Sequence, residues 1–494
     1  MSFCLNFPLF MIVASLSSSV ISTLLKGKTA RILSLLLTGV CFILDLNILL
    51  YVVNTGGSYT YMMGHFPHPW GNELKISTIE TIISTLFSLV LFLILLGGKE
   101  SIEEYVDDSK QNLYYALCDL INSSLLVLVY TNDIFTGYVF VEICTLASTG
   151  ILVLRGNGKS LAAAIRYMVF ALIGSGLLLF GIVFLYNITG NLLMPNLKES
   201  IINLYNTKQY YLPLLTAMCF ISVGVAIKSG LFPFHFWMAD TYGSAIPASS
   251  GILSGIISKA YIFFLIKVIK DVFTIEIFKA SGISNIIFVL ALFGIVVGSI
   301  SAIRENDIFR MCAYSSAAQI GYIYMGIGLS TTVSIVASLF QICAHCITKP
   351  ALFLSSYHLS KNSGGSSRFK ALQGSYKRDF FSTVCFSQGA FSMVGIPLTA
   401  GFMTKYLFGM SAFDYTNWEM LATLIVLIIS TILNTIYFTK TVVRLFTVDE
   451  NDSKKFNVSL QYRIVGILFM IVNFGLGIFA KNYIDVIFKG LNLF

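Results

Sequence analysis

The sequence predicts an all-α polytopic membrane protein of about 14 transmembrane helices, with two inverted five-helix repeats that each contain one broken helix, helices 7 and 12. Three observations lead to this fold class. The chain of 494 residues is 56% hydrophobic and only 11% charged, which excludes a soluble protein of this length. Apolar runs of about 20 residues, each able to cross a hydrocarbon layer of roughly 30 Å, recur from end to end. Glycine and proline interrupt two of these runs.

The apolar runs define the predicted spans. Polar stretches between them, the longest at 98–112, 187–211 and 359–379, are too short for a soluble domain. The predicted spans are 5–24, 32–53, 76–97, 113–130, 133–153, 161–186, 212–242, 247–270, 285–303, 309–329, 332–358, 380–413, 417–446 and 462–488.

The two interruptions indicate how the chain is organised. The seventh span contains "KSGLFPFH" and the twelfth contains "GIPLTAGFMTK". Proline lacks an N–H and obstructs the preceding turn, so either it merely kinks a long helix or it breaks the helix at membrane depth. We favour breaks, because they lie five helices apart and an odd offset inverts the topology. The predicted divisions are 1–110 (helices 1–3), 111–272 (helices 4–8, first repeat), 273–447 (helices 9–13, second repeat) and 448–494 (helix 14).

The basic residues predict an orientation. With 14 spans, twenty of the 32 lysines and arginines fall in loops on one side of the membrane and eight on the other. The positive-inside rule makes the richer side cytoplasmic and places both termini on the outer face of the inner or plasma membrane. The net charge of +8 lies mainly in these loops, so it indicates topology and contact with the lipid bilayer, and no binding of nucleic acid.

Four lysines remain outside the loops counted in this way, and they are Lys228, Lys259, Lys349 and Lys405. Each costs on the order of 3 kcal/mol on insertion scales. Burial lowers the pKa of a lysine and a nearby carboxylate raises it again, whereas arginine keeps its proton. Lysines without arginines therefore favour proton exchange. The alternative is that each lysine snorkels to an interface or pairs with one acid.

Acids and histidines complete the candidate set. Asp45, Asp119 and Glu142 lie inside spans, and we expect Glu142 to be the most deeply placed. His345 lies four residues before Lys349 and should share its helical face. His235 follows the first break. Imidazole suits proton transfer near neutral pH, although a lone buried histidine is more often a satisfied core residue.

The cysteines do not predict a cofactor. Cys343 and Cys346 form a CxxC pair without the second pair that zinc or an iron–sulfur cluster needs, and residue 347 is not the histidine of a haem attachment motif. Rossmann glycine patterns do not occur. We expect neither a cofactor nor a metal site in this chain.

Four stretches of sequence carry a family resemblance. The segments "AIKSGLFPFHFWMADTYGSAIPASSGILSGIISKAYIFFLIKV", "RENDIFRMCAYSSAAQIGYIYMGIGL", "AHCITKPALFLSSYHL" and "GIPLTAGFMTKYLFG" occur in this order. Together they resemble the proton-conducting antiporter-like subunits of respiratory complex I, Mrp-type Na⁺/H⁺ antiporters and membrane-bound hydrogenases. The similarity extends over roughly residues 110 to 415. The resemblance implies a fourteen-helix fold with inverted repeats and a hydrophilic axis along the membrane plane.

The resemblance also implies a role for particular residues. Glu142 matches the acidic residue of the fifth helix, Lys228 the lysine before the first break and Lys259 the linking lysine. The HxxxK pair corresponds to His345 and Lys349, and the terminal lysine of the second broken helix to Lys405. Gln319 departs from the pattern, because the family often has a histidine there, so a relay at that point would depend on the amide and water.

These observations predict a proton-translocating or Na⁺/H⁺-antiporting subunit of a multi-subunit complex, itself without redox chemistry. Expected partners are other membrane subunits, including related antiporter-like chains, and a module of the Fe–S/hydrogenase or NADH/quinone type. The sequence leaves open which parent complex is involved and whether Na⁺ passes through this chain. The alternative is a stand-alone secondary transporter of an organic solute, which would need a substrate pocket in place of a row of titratable groups.

Overall fold

The computed structural model is almost entirely helical and describes residues 4–66, 71–415, 417–447 and 456–491. One antiparallel hairpin pairs β1 (Tyr59–Met62) with β2 (Glu73–Ile76). The longer helices are α1 (Phe7–Leu24), α2 (Gly27–Thr55), α3 (Thr78–Gly97), α5 (Gln111–Tyr130), α6 (Ile134–Val153), α7 (Gly158–Thr189), α9 (Tyr211–Ser229), α12 (Ser258–Val268), α14 (Ile283–Arg304), α15 (Ile308–Leu329), α16 (Thr332–Lys361), α18 (Phe380–Val394), α19 (Ala400–Ala412), α20 (Trp418–Phe446) and α21 (Leu460–Ile478). The shorter helices are α4 (Lys99–Tyr105), α8 (Met194–Asn206), α10 (Phe236–Ser244), α11 (Pro247–Ile252), α13 (Ile275–Ala280), α17 (Ser375–Arg378) and α22 (Ala480–Leu491).

The predicted fold class is confirmed, since the described residues form a polytopic all-α membrane protein. Twelve of their helices have the length and hydropathy to cross a membrane. The two predicted spans outside this set correspond to α15 and to the broken pair α18 and α19. The count of fourteen and the division into repeats stay predictions.

Both predicted helix breaks are present and are capped in the same way. α9 ends at Gly230 (φ 81°), and α18 ends at Gly395 (φ 91°). Each glycine N–H donates back to the preceding turn, as does the N–H of Leu231 or Ile396 after it. These left-handed caps satisfy backbone carbonyls that would otherwise be exposed within the membrane. The helical path resumes at α10 and α19.

The structure corrects the predicted course of three other segments. The stretch 187–211, expected to be a polar loop, contains α8. The predicted span 462–488 is two helices, because the backbone leaves the helical conformation at Phe479 (ψ 19°). The predicted span 247–270 runs to Phe273 and includes two π-helical turns, Leu253–Ile257 and Ile269–Phe273.

Two helical segments form the centre of the molecule. The most apolar windows of Pro247–Phe273 and of Thr332–Lys361 are completely buried, whereas those of α1, α2 and α20 are only about one-third buried. Lys259 and Lys349, which lie on these segments and are completely buried, therefore cannot reach lipid headgroups by extending along a free surface. Close packing also holds α7 against α9, where a side chain on Gly174 would lie 2.7 Å from the Gly224 carbonyl oxygen.

Replacing Gly401 should destabilise the second broken helix. A Cβ at Gly401→Ala would collide with the Ser392 carbonyl, whereas a Cβ at Gly409, on the same helix, meets open space. We expect Gly401→Ala to cost about 1–3 kcal/mol by overpacking and Gly409→Ala to be neutral. Thermal unfolding of the purified complex measures both, and equal melting temperatures for the two variants would contradict this packing.

Candidate functional site

The first predicted lysine forms an ion pair. Lys228, the penultimate residue of α9, lies with its Nζ 3.3 Å from Oε1 of Glu142 on α6 and donates a hydrogen bond of 2.8 Å to Oγ1 of Thr145. Its ammonium group also lies 5.6 Å from the centre of the Tyr261 ring. The lysine side chain is 1% exposed. The pair predicted from sequence is therefore in direct contact.

Glu142 is more exposed than the other two acids of the spans. Its side chain is 21% exposed, whereas Asp45 and Asp119 are completely buried. Exposure on the surface of the bundle is separate from depth within the membrane, so the expected depth of Glu142 stays a prediction. The reason for its exposure is rotational, because α6 turns Glu142 toward the outer surface of the bundle while Val141 and Cys144 face inward. One end of the ion pair is accessible from outside this chain.

Lys259 lies at a helix irregularity. It follows the π turn Leu253–Ile257, and its Nζ donates to the Ser254 carbonyl at 2.5 Å and to Oγ of Ser258 at 3.0 Å. A π turn leaves backbone groups in unusual positions and is often found at functional sites. The side chain is completely buried and has no carboxylate within ion-pair distance among the described residues.

His345 and Lys349 lie on α16, as the spacing predicts, and both are buried. Nζ of Lys349 donates to the Cys312 carbonyl on α15 at 2.9 Å. Neither ring nitrogen of His345 has a hydrogen-bond partner within the described chain. The charges of Lys259 and Lys349 both act on His345 electrostatically. His345 is therefore a buried imidazole near two lysines, with one ring nitrogen able to accept a proton and the other able to donate one.

Lys405 caps the second broken helix. Its Nζ donates to the carbonyl of Val394, the last residue of α18, at 2.6 Å, and to Oγ1 of Thr431 on α20 at 3.0 Å. The side chain passes over Gly395, where an added Cβ would lie 3.0 Å from the lysine Cδ. The ammonium group thus satisfies a carbonyl that the helix break exposes.

A small polar cavity joins His345 to Lys405. Its volume of about 10 Å³ is close to the room that one water molecule needs. Gln319 and Gln341 also line it, and the Gln341 amide donates to Oε1 of Gln319 at 2.6 Å. The position where a histidine was expected from the resemblance therefore holds an amide pair beside a water-sized space.

His235 stands apart from the lysines. It lies at the start of α10, buried, with its ring stacked on Phe236 at 4.7 Å. Its Nδ1 has no hydrogen-bond partner in the described ranges, and none of the hydrogen bonds made by the buried lysines reaches it. The structure thus brings Glu142 to Lys228, and His345 to its two lysines and Lys405, but not His235 to any of them.

Sequence reasoning missed a fifth buried lysine. Lys267 falls in the predicted span 247–270 but was counted with the loop that follows it; it lies on α12 with its side chain 2% exposed and its Nζ 3.7 Å from Oε1 of Glu80. It also donates to the Val129 carbonyl at 2.8 Å. Apolar residues recur past Lys267 as far as Phe273, around Lys270 and Asp271, and this was the signal for a longer helix. The count of four buried lysines is therefore wrong.

A second ion pair lies beyond the Lys267–Glu80 pair, at the hairpin. Nζ of Lys75, on β2, lies 3.0 Å from Oδ2 of Asp271. Burial lowers the pKa of Lys75, but the carboxylates of Asp271 and Glu80 outweigh this effect and hold the pKa above its ordinary value. Lys75 therefore stays charged at neutral pH and helps to hold the hairpin on the helical core.

The fold and this row of buried charges define a polytopic subunit of the ion-translocating type, and comparison with known proteins identifies the family. Residues 131–432 match the family described as NADH:quinone oxidoreductase/Mrp antiporter, TM. The chain belongs to this family. It is 30% identical to NADH-quinone oxidoreductase subunit N of Desulforudis audaxviator, over 78% of this chain and 74% of that protein.

Two further comparisons agree with this assignment. The chain is 28% identical to one of the subunits of the Na(+)/H(+) antiporter of Alkalihalophilus pseudofirmus, over 73% of this chain and 71% of the relative. Its fold superimposes on a chain of the Mrp complex from Dietzia sp. DQ12-45-1b with a TM-score of 0.88 and 20% identity, covering 99% of this chain and 97% of that one. The superposition supports the fold alone.

Breaking the newly found ion pair should destabilise the chain. Glu80→Gln leaves Lys267 buried without its counter-charge, which costs about 3–5 kcal/mol, so we expect a lower melting temperature for the purified complex. The exposed acid Glu199, changed to Gln, serves as the control. Removing both charges in Glu80→Gln/Lys267→Met should restore most of the loss. A Glu80→Gln variant as stable as the control would contradict the pairing.

Proposed function

We propose that this chain is a proton-translocating subunit of a multi-subunit membrane complex, in which protons move between buried groups along the membrane plane. The observation that carries the proposal is the placement of Lys228, Lys259, Lys349 and Lys405, each buried or half-buried and each bound to groups that it can release. Such residues are costly within a membrane and mark ion pathways.

The Glu142–Lys228 ion pair at the start of the row controls whether Lys228 keeps its proton. Two unit charges 4 Å apart interact with about 4 kcal/mol at an effective dielectric of 20. Moving Glu142 away from Lys228, or neutralising it, therefore favours loss of the lysine proton. Because Glu142 is partly exposed, a charged group on a neighbouring subunit can act on it directly. The pair thus couples this chain to its partner.

Protons released from Lys228 pass to the central lysine and then to the second half of the chain. The charge of Lys259 acts on His345, and His345 lines the cavity that reaches Lys405. An imidazole with two free nitrogens can accept a proton on one side and release it on the other. Water in the cavity, held by the Gln319 and Gln341 amides, completes the step to Lys405.

Names of the relatives suggest the partners and setting. A relative in an Na(+)/H(+) antiporter and another in an NADH-quinone oxidoreductase support other antiporter-like membrane subunits and either a redox module or antiporter subunits as partners. In our proposal the chain lies in the cell membrane. The loops that contain most of its lysines and arginines are in the cytoplasm, and both termini are on the outer face. Na⁺ transport by the complex is compatible with this role.

Removing the first lysine tests the relay. Lys228→Ala in the assembled complex should lower proton transport by about twofold or more, since a proton-transfer group of the relay is lost. Transport is measured in membrane vesicles with a pH-sensitive dye, and the exposed lysine variant Lys208→Ala is the control. Wild-type transport by Lys228→Ala would contradict the relay. Transport of an organic solute by the purified single chain would instead support a stand-alone transporter.

The hydroxyl partner of Lys228 should tune its proton exchange. Thr145→Val keeps the side-chain shape but removes the acceptor of the 2.8 Å bond, which is worth about 1.5–3 kcal/mol for a charged donor. We expect a shifted pH profile of proton transport with normal assembly. Thr149→Val, one turn later and bound to the Thr145 carbonyl, should leave the profile unchanged. Identical profiles for both variants would contradict a role for this bond.

A further inference from the structure

Two buried acids lie outside the lysine row. Asp45 on α2 and Asp119 on α5 are completely buried, and among the described residues neither has a lysine, arginine or histidine within ion-pair distance. A buried carboxylate without a counter-charge costs several kcal/mol. Each of these groups is therefore a strong acceptor for a cation, of which the proton is the smallest.

Hydroxyl groups surround Asp119. Oδ2 accepts hydrogen bonds from Ser18 at 2.7 Å and Ser22 at 3.2 Å, both on α1. Oδ1 is buried and has no hydrogen-bond partner within the described ranges. Ser22 lies in the last turn of α1, near the loop that begins at Leu25. This acid thus has an unoccupied oxygen and a route of hydroxyl groups toward one membrane face.

Asp45 is surrounded in a similar way. Its two oxygens accept from Ser88 and from the Tyr130 hydroxyl, both at 2.7 Å. The Ser84 hydroxyl, 1% exposed, faces Asp45 and Tyr130 without a direct hydrogen bond to a described residue. Hydroxyl groups both donate and accept, which is what transfer of a proton requires.

Polar side chains connect the two acids. The Asn122 amide, one turn after Asp119, donates to Oγ of Ser15 at 2.9 Å and to Sγ of Cys41 at 3.6 Å. Cys41 precedes Asp45 by one turn of α2, so the two side chains lie about 5–6 Å apart. Each remaining gap is therefore one helical turn, which a single water can bridge.

The series continues from Asp45 to the opposite membrane face. Ser88, Ser84 and Glu80 follow one another at intervals of one turn on α3. Glu80 contacts Lys267, and the Lys75–Asp271 pair beyond it has side chains that are 25% and 11% exposed. A line of polar groups thus crosses the helices α1, α2, α3 and α5 from Ser22 to the hairpin.

We propose that Asp119, Asp45 and Glu80 form a second proton-conducting path across the first four membrane helices, separate from the lysine row. A proton bound to Asp119 moves through water beside Asn122 to the Asp45 carboxylate, and Asp119 thereby returns to its charged form. Asp45 then releases it along the serines of α3 to the Glu80 carboxylate beside Lys267. We call this series the acid path. It rests on the proposed function only in that the complex moves protons.

The acid path is tested by neutralising each acid in the complete complex. Asp45→Asn and Asp119→Asn keep one acceptor oxygen but lack the carboxylate that binds a proton, so we expect each to lower proton transport in vesicles by roughly twofold or more. Asp45→Glu should restore transport, and the exposed acid variant Asp485→Asn is the control. Combining Asp45→Asn with Lys228→Ala should remove the transport that Lys228→Ala leaves.

Labelling with a hydrophobic carbodiimide provides a readout independent of transport and of variant folding. The reagent modifies protonated carboxyl groups within the membrane, so peptide mass spectrometry of the wild-type complex should find Asp45 and Asp119 modified, more strongly at lower pH. Absence of labelling at every pH, or wild-type transport by both Asn variants, would overturn the acid path. Protection by Na⁺ without any effect of pH would overturn it in favour of a sodium site. Wild-type transport by Lys228→Ala contradicts the lysine relay and leaves the acid path unaffected.

Discussion

The structure depends on one constraint. An ammonium group within the membrane needs oxygen acceptors, but the carbonyls inside a regular helix are already hydrogen-bonded. Irregular backbone supplies most of the acceptors. Lys405 binds the carbonyl at the end of α18, Lys267 binds one in the last turn of α5, and Lys259 binds one in a π turn. Lys349 takes the Cys312 carbonyl of α15 instead. Helix breaks and buried lysines are thus two parts of one arrangement.

The same constraint applies to the two central segments of the bundle. Lys259 and Lys349 lie on the two completely buried segments, Pro247–Phe273 and Thr332–Lys361. His345 between them has no hydrogen-bond partner of its own within the described ranges, so nothing but water or a proton competes for its nitrogens. The broken helices then place Lys228 beside the Glu142 carboxylate and Lys405 beside the Thr431 hydroxyl.

Much of this arrangement could be predicted from sequence, because apolar length and Gly/Pro interruptions report directly on spans and breaks. The Lys228–Glu142 contact and the shared helix of His345 and Lys349 followed from spacing and resemblance. Lys267 was missed because it lies near the end of its predicted span, where its charge alone led to its being counted with the following loop. The exposure of Glu142 could not be predicted, since it depends on how α6 is rotated in the bundle, and rotation is a property of packing.

The cavity between His345 and Lys405 has a consequence for energy conservation. A space of about 10 Å³ holds one water or none, and a row of groups interrupted by a dry gap is an insulator. If protons follow the proposed relay, they cannot pass while this space is empty, although the titratable residues are already in position. In the proposed relay the side chains therefore stay in place, and the number of water molecules between them decides whether a proton can pass.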